Sequence, residues 1–513
     1  TGDASNTGDA SNTGDATNNS QLHSTPTPRY LNTPLRVFLT TATVNAVAIG
    51  LVVAKSLPLK GPAIPLLCLY VGLQFSLPHY LFTLSLPSSH SPLSSELLLP
   101  SLSALTSYAH SRLFPYGSYG ILPYTQYGVL PVLQLASIGG VWMIEVFMSY
   151  LPTCLALAYK ESLSDPLGGL SRVGLSRLKR AALVLAAVMT YGGARQRWGT
   201  WEGADRATGV GTVRVAGVWL RNTMVVREQL LRHHLGKVMD GREGPGEEEG
   251  DWEGGGWGEV RRWAEEDIEV LRGEVEREAR AGAKIVMTPE LALVTFGGKG
   301  VPKDDRLSTE NVLETLAGIA ADNGVHLGVG IGYNSPFEKV PNLSKFTETV
   351  LEKDDGMMGV ESNRFVLISP LGVPKPSFDE ALNGPQPHPN VALNYIKYNP
   401  VPIIEGPFAV PGNATIPVAS VPLPSPTRVG AAVCFDMEHP WHISQLGPFT
   451  DVILNPSYDW PGLNPYHARI TAFRAVEVGS NVFHHCQAGT TAAYDYLGNQ
   501  VGLGDFFAPQ GGE

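Results

Sequence analysis

The sequence predicts an α-helical membrane domain followed by a layered α/β domain, on three observations. Charged residues make up only 17% of the 513 residues, and they concentrate after about residue 195. Ahead of that point lie uncharged apolar tracts of the length that crosses a bilayer. Beyond about Thr212, short runs with strand periodicity alternate with runs of helical periodicity, the order that builds a layered α/β domain.

Residues 1–34 open with Thr1-Gly2-Asp3-Ala4-Ser5-Asn6, which repeats almost unchanged twice before a Ser/Thr/Pro-rich stretch. Nothing in it can bury a core, so it reads as disordered. The chain begins without Met and so reads as a fragment, and the absence of a charged n-region argues against a signal peptide at this end.

Residues 35–197 form the predicted membrane domain. Val37–Ala54 is uncharged between Arg36 and Lys55, and a second span is expected over residues 63–86, since no Asp, Glu, Lys or Arg falls between Gly61 and Ser95. A third uncharged tract runs from Leu113 to Ile144; Glu145 alone interrupts the apolar run onward to Tyr159, and Ala181–Ala194 adds a shorter segment. A helix that faces water carries a polar side. These tracts lack one, which predicts roughly four to six membrane helices and a multi-pass integral membrane protein. The cluster Arg172, Arg177, Lys179 and Arg180 predicts that the 160–180 loop faces the cytoplasm.

Residues 212–513 form the second domain. Val213–Leu220 alternates as a strand does, and strands recur at Lys284–Thr288, His326–Tyr333, Arg364–Ser369, Val429–Phe435, Asp451–Leu454 and Asn481–Gln487. A helix is predicted over Glu259–Ala281, where Val260, Ala264, Ile268, Leu271 and Val275 recur at spacings of three and four, and another over Pro465–Gly479. A Gly- and acid-rich insertion at about 238–257 reads as solvated chain.

Composition excludes several functions. A net charge of −11 offers no basic field for nucleic acid. The four cysteines, Cys68, Cys154, Cys434 and Cys486, are too few and too scattered for a disulfide framework or a C-x-x-C metal site. Cys68 and Cys154 read as small packing residues, and His485-Cys486 as part of a buried strand. No metal or cofactor is expected.

Three sites fall at strand ends, where α/β folds place functional groups: Pro289-Glu290, then Tyr395-Ile396-Lys397 with Glu405 eight residues on, then Gly430-Ala431-Ala432-Val433-Cys434-Phe435-Asp436. Singly each has an ordinary explanation: a solvated acid, a snorkelling lysine, a core cysteine. Together they meet the needs of thiol-based acyl transfer. A thiol nucleophile needs a base, which Glu290 can supply. The oxyanion of a tetrahedral intermediate needs fixed donors, which the Lys397 ammonium and the Phe435 backbone N–H can supply. His439 and His467 lie nearby in sequence, but no Asp–His–Cys or Ser pattern with a Gly-rich elbow competes. Arg474 and Glu477, at i and i+3, read as a structural ion pair.

In order and on matching strands, Pro289-Glu290, Tyr395-x-Lys397 and Gly430-x-x-x-Cys434-Phe435-Asp436 resemble the Glu–Lys–Cys signature of the nitrilase (carbon–nitrogen hydrolase) superfamily over roughly residues 212–505. The resemblance implies a four-layer α-β-β-α sandwich. Within the superfamily, apolar spans before such a domain resemble the bacterial apolipoprotein N-acyltransferases, as do Pro131–Trp142, the Lys397–Glu405 spacing, and Asn455-Pro456-Ser457-Tyr458-Asp459-Trp460. That implies Glu405 supporting Lys397, a membrane lipid as acyl donor, a Cys434 thioester, and an amine or protein N-terminus as acceptor. The alternative is a membrane-tethered amidase or nitrilase with the same triad. Asp436 departs from that family, which has Glu there, and matches the soluble amidases. The chain also ends soon after Tyr494–Asn499, before the closing strands and final membrane helix such a resemblance implies.

Overall fold

A computed structural model of the protein describes residues 34–53, 63–85, 91–163, 171–207, 212–220, 256–296, 306–335, 360–371, 389–402, 405, 409–423 and 425–507. The low-complexity start and the insertion at about 238–257 lie almost wholly outside the described residues.

Five long helices come first: α1 (Pro34–Val53), α2 (Ala63–Ser85), α3 (Pro92–Leu113), α4 (Ala136–Leu163) and α5 (Arg172–Ala207). Three helices, α1, α2 and α4, are long and apolar enough to cross a membrane. Leu51 is 78% exposed and Leu66 65%, so α1 and α2 turn leucines outward rather than into a core. The two helices pack closely because Gly72 lacks a side chain: a β-carbon there would lie 2.5 Å from the Ala42 carbonyl oxygen.

One expectation needs correction. The uncharged tract Leu113–Ile144 is not one span. After α3 it breaks into turns, a 3₁₀ segment (Leu122–Gln126) and a single helical turn (Leu130–Leu133) before α4 begins, and α4 itself is kinked at Gly139–Gly140. The tract lies against the sheet-bearing second half of the chain instead. The Ser118 N–H and hydroxyl both donate to the Glu438 carbonyl at 2.7 Å, and the Gln134 amide donates to the Leu497 carbonyl at 2.9 Å. Its tyrosines, glycines and glutamine supply hydroxyl and backbone groups that a polar neighbour can satisfy and lipid cannot. Within the basic cluster, Arg177 and Arg180 meet acids of neighbouring helices. Arg177 is buried against Glu96 and Glu161 at 3.0 Å each, and Arg180 also reaches Glu96, so these two charges hold α3, α4 and α5 together.

The second half folds into two six-stranded mixed sheets. In the first, β1 (Arg214–Gly217), β2 (Ala283–Met287) and β4 (His326–Ser335) run parallel, with β3 (Leu293–Phe296) paired to β4. β5 (Val360–Ile368) and β6 (Val391–Ile396) complete it in antiparallel register. The second sheet has the order β12–β11–β10–β9–β8–β7. Its strands are β7 (Val418–Pro422), β8 (Pro426–Ala431), β9 (Val452–Tyr458), β10 (Asn481–Gln487), β11 (Thr490–Tyr494) and β12 (Gln500–Asp505). β3, β7, β11 and β12 are strands beyond those expected from the sequence.

Period-two alternation sends the first sheet into two cores. Val286, Leu327, Val329, Val366 and Ile368 pack with Leu271 and Val275 of α6 (Gly256–Arg280) and Leu313 and Leu316 of α7 (Thr309–Asn323). Ile285, Met287, Phe365, Leu367, Leu393 and Tyr395 join Val429 and Ala431 of β8 and Ile453 of β9. Phe473 and Val476 of α8 (Tyr466–Val478) share that second core with Val141, Ile144 and Phe147 of α4. A polar tie reinforces this junction. Glu477 of α8 accepts the Val141 N–H at 2.7 Å, capping α4 where its kink frees a donor, and pairs with Arg474 at 2.5 Å.

Candidate active site

Glu290, Lys397 and Cys434 each sit within three residues of a strand's end. Glu290 follows β2, in a turn where Leu291 takes φ 53°. The close approach of this turn to β4 requires Gly330, since a β-carbon there would fall 2.2 Å from the Pro289 carbonyl oxygen. Lys397 follows β6, its backbone N–H bonded to the Asn363 carbonyl of β5 at 2.9 Å. Cys434 follows β8 and opens a 3₁₀ turn (Cys434–Glu438) at φ 46°, a left-handed conformation that costs a side-chain-bearing residue about 1–2 kcal/mol. Strain held at a buried thiol is a feature of functional turns.

The tertiary fold brings these groups into one buried array. Glu290, Lys397 and Cys434 are 1%, 2% and 5% exposed. The Lys397 ammonium donates to Glu290 Oε1 at 2.8 Å and to Glu405 Oε2 at 2.6 Å. Asn363 donates to Glu290 Oε1 at 2.6 Å, and the Tyr458 N–H to Glu290 Oε2 at 2.8 Å. The Val401 N–H donates to Glu405 Oε2 at 2.7 Å. The Cys434 sulfur lies 4.0 Å from the carbonyl oxygen of that same Tyr458.

Burial, followed by the Glu290 carboxylate, pushes the Cys434 thiol well above its usual range, and Lys397 pulls the other way without prevailing. Burial works against the Lys397 charge, yet the Cys434 sulfur, Glu290 and Glu405 hold its ammonium well above the usual lysine range. The site therefore sets the Cys434 sulfur beside a fixed cation and two carboxyl groups. A carboxylate can take the thiol proton as the sulfur attacks, and the cation can meet the negative charge that develops.

Asp436 fastens the thiol turn to the lysine strand. Its Oδ2 accepts from the Tyr395 hydroxyl at 2.7 Å and the Val433 N–H at 3.1 Å, while Oδ1 accepts from the Asn399 N–H and side-chain amide at 2.9 and 2.8 Å. Phe435 is buried with its ring edge-on to His439. Trp460 is half-buried on the loop after β9, next to Asp459.

Sequence reasoning missed Asn363, Tyr458, Asp459 and His467. The exclusion of a competing Asp–His–Cys grouping also needs revision: Cys434 Sγ, an Asp459 carboxylate oxygen and a His467 ring nitrogen lie within 4.8 Å of one another, all buried. Asp459 stands in the Asn455–Trp460 stretch and His467 opens α8, but nothing in their spacing signals that they meet. A second buried group, Asp459, His484 and Cys486, has the same compactness, so the sequence spacing around Cys486 did not reveal its donor neighbours. Asp459 is common to both groups and already pairs with His467 at 2.8 Å, so a cation in either would compete with that pair.

No protein-family model matches the chain, and no curated protein matches it. Among solved structures, it is similar to an amidase from Nesterenkonia sp. AN1 at 18% identity, over 47% of this chain and 84% of that one, with a TM-score of 0.34. A mutant of that amidase, described as from the nitrilase superfamily, aligns at 16% identity over 47% of this chain and 81% of that one, TM-score 0.33. Another form of it, described as carrying an acetamide group added covalently at the active-site cysteine, aligns at 17% over 47% and 81%, TM-score 0.34.

Proposed function

We propose that this chain is a membrane-bound acyl-transfer enzyme of the nitrilase type, with Cys434 as nucleophile, Glu290 as general base and acid, and Lys397 as oxyanion donor. One observation carries the reading: a buried lysine clamped between two carboxylates, Glu290 and Glu405, beside a cysteine held in a strained turn. Ion pairs taken out of water this completely cost several kcal/mol per ion before their mutual attraction repays it. A hydrophobic packing of the same volume would serve stability as well, so the array favours chemistry.

In the first half-reaction Glu290 takes the thiol proton as sulfur attacks an ester or amide carbonyl. Lys397 and the Phe435 N–H stabilise the oxyanion, and the leaving oxygen or nitrogen departs with the proton that Glu290 returns. The product is an acyl thioester on Cys434. In the second, an amine attacks, Glu290 takes its proton and passes it to the departing sulfur, and an amide leaves. We further propose a membrane lipid as acyl donor, because three helices long and apolar enough to cross a bilayer precede the site, with α4 tied to α8 through Glu477. The acceptor is an amine, such as a protein N-terminus. With water in place of the amine, the same thioester makes the chain a membrane-tethered amidase, a reading favoured by Asp436, the residue the soluble amidases carry there.

Intact-mass measurement separates the two. Protein purified from membranes, or incubated with phospholipid vesicles, is expected to carry a fatty-acyl mass on Cys434 that an added amine discharges as amide faster than water discharges it as acid. Release of acid alone, unaffected by amine, would leave the amidase. The membrane setting has its own measurement. Alkaline carbonate is expected to leave the protein in the pellet and detergent to extract it, and recovery in the carbonate supernatant would remove the lipid-donor proposal.

A further inference from the structure

Cys434, His467 and Asp459 have the residue types of a catalytic triad, but their hydrogen bonds point elsewhere. In a triad the imidazole turns an unprotonated nitrogen toward the nucleophile. Here His467 Nε2 faces the Cys434 backbone carbonyl oxygen at 3.3 Å, while Nδ1 faces Asp459 Oδ1 at 2.8 Å, with the Ser457 hydroxyl at 3.3 Å. A carbonyl and a carboxylate only accept. A neutral imidazole has one N–H and can satisfy one of them, whereas the imidazolium satisfies both. Burial works against that charge, but Asp459, Glu438 and Glu290 outweigh it and lift His467 to about 9. His467 therefore has no free lone pair with which to act as a base.

The carbonyl it holds belongs to the peptide that joins Cys434 to Phe435. That peptide is trans and planar, so its C=O and the Phe435 N–H point in opposite directions and turn together. Fixing one fixes the other. Cys434 itself sits at a strained left-handed φ, where the turn gains most from an external anchor.

We infer that His467, held by Asp459, is a positioning residue that locks the Cys434–Phe435 peptide and so aims the Phe435 N–H at the oxyanion formed during acyl transfer. The inference rests on the acyl-transfer reading and adds to it a residue that touches neither substrate nor the sulfur's proton. Its consequence is specific. Steps that pass through an oxyanion depend on His467, and steps that use only the thiol do not.

The test compares two reactions of Cys434 in the full-length protein in detergent. Acylation by the p-nitrophenyl ester of a short fatty acid forms an oxyanion; alkylation by iodoacetamide is a direct displacement that forms none. His467→Phe, which fills the space without a donor, is expected to lower the acylation burst about 100- to 1,000-fold, the scale of one lost oxyanion donor. Alkylation should stay within about threefold, since it tracks thiol reactivity. His467→Gln, whose amide N–H reaches toward the same carbonyl, is expected to regain at least about tenfold in acylation over the Phe variant. If His467→Phe does not fold, His467→Asn replaces it, presenting the same amide one methylene short. Acylation and alkylation falling together would overturn the inference, as would a Gln variant no better than Phe or Asn. A burst that survives Cys434→Ala would overturn the acyl-transfer reading and this inference with it, whereas one that needs Cys434 but ignores His467 overturns the inference alone.

Discussion

Cys434→Ala is expected to lower turnover about 10⁴- to 10⁶-fold, the scale on which loss of a covalent nucleophile acts. Yield in the membrane fraction should not change. The sulfur's hydrogen-bond contact is a long one, 4.0 Å to the Tyr458 carbonyl oxygen, so its removal disturbs little packing. Alanine keeps the β-carbon, so the left-handed turn at φ 46° is no more strained than before. Cys154→Ala is the control: Cys154 is buried beside Tyr150 and Ala181 of the helical region, and its loss should leave turnover near normal. Steady-state rates of the two purified variants decide the matter, and a Cys434→Ala rate near that of the unaltered protein would remove the nucleophile assignment.

Lys397→Met is expected to raise the barrier by about 2.7–4 kcal/mol, roughly 10²–10³ in rate, as for loss of one oxyanion donor. It should also destabilise the protein. The lysine holds Glu290 and Glu405 at 2.8 and 2.6 Å, and without it two carboxylates share a buried site with no cation between them. Breaking a buried pair by removing one partner typically costs about 3–5 kcal/mol. The two effects can be separated. Glu405→Gln added to Lys397→Met removes one of the stranded charges, so thermal stability should recover while the rate stays low. A double variant that regained both would make Lys397 a structural residue only, and the oxyanion assignment would fail.

The site was legible in the sequence to the extent that strand ends are legible. β2 and β8 announce themselves through buried apolar runs, Ile285-Val286-Met287 and Val429-Gly430-Ala431, and each is followed three residues on by unusual chemistry for that place, Glu290 and Cys434. Lys397 and Glu405 stand out as charges amid aromatic and proline-rich sequence. The edge strands were less visible. β7 and β12 border the second sheet, and Val418-Ala419-Ser420-Val421-Pro422 and Gln500-Val501-Gly502-Leu503-Gly504-Asp505 are short, with small residues that make weak strand patterns on their own. Their state depends on a neighbour that hydrogen-bonds them.

In the helical half, the sequence could count charges but not say what each one meets. Arg177 looked like part of a basic loop and is instead buried on Glu96, contributed from 81 residues earlier. Leu113–Ile144 looked like a membrane tract because it lacks charge. Its hydroxyl, side-chain amide and backbone groups, bonded to Glu438, Arg474 and Leu497, lay it against the sheet-bearing half instead.

By itself the sequence determined which segments are apolar all round, which alternate with period two, and which three residue types follow strand ends. Those properties are local, since hydrophobic period and charge content follow from residues a few positions apart. Only the tertiary structure decided which carboxylates share Lys397, one of them 107 residues away, and that the Cys434 carbonyl rests on His467. The reason is distance. Proton transfer and oxyanion stabilisation act through contacts near 3 Å, and periodicity assigns a side chain to a face, never to a partner.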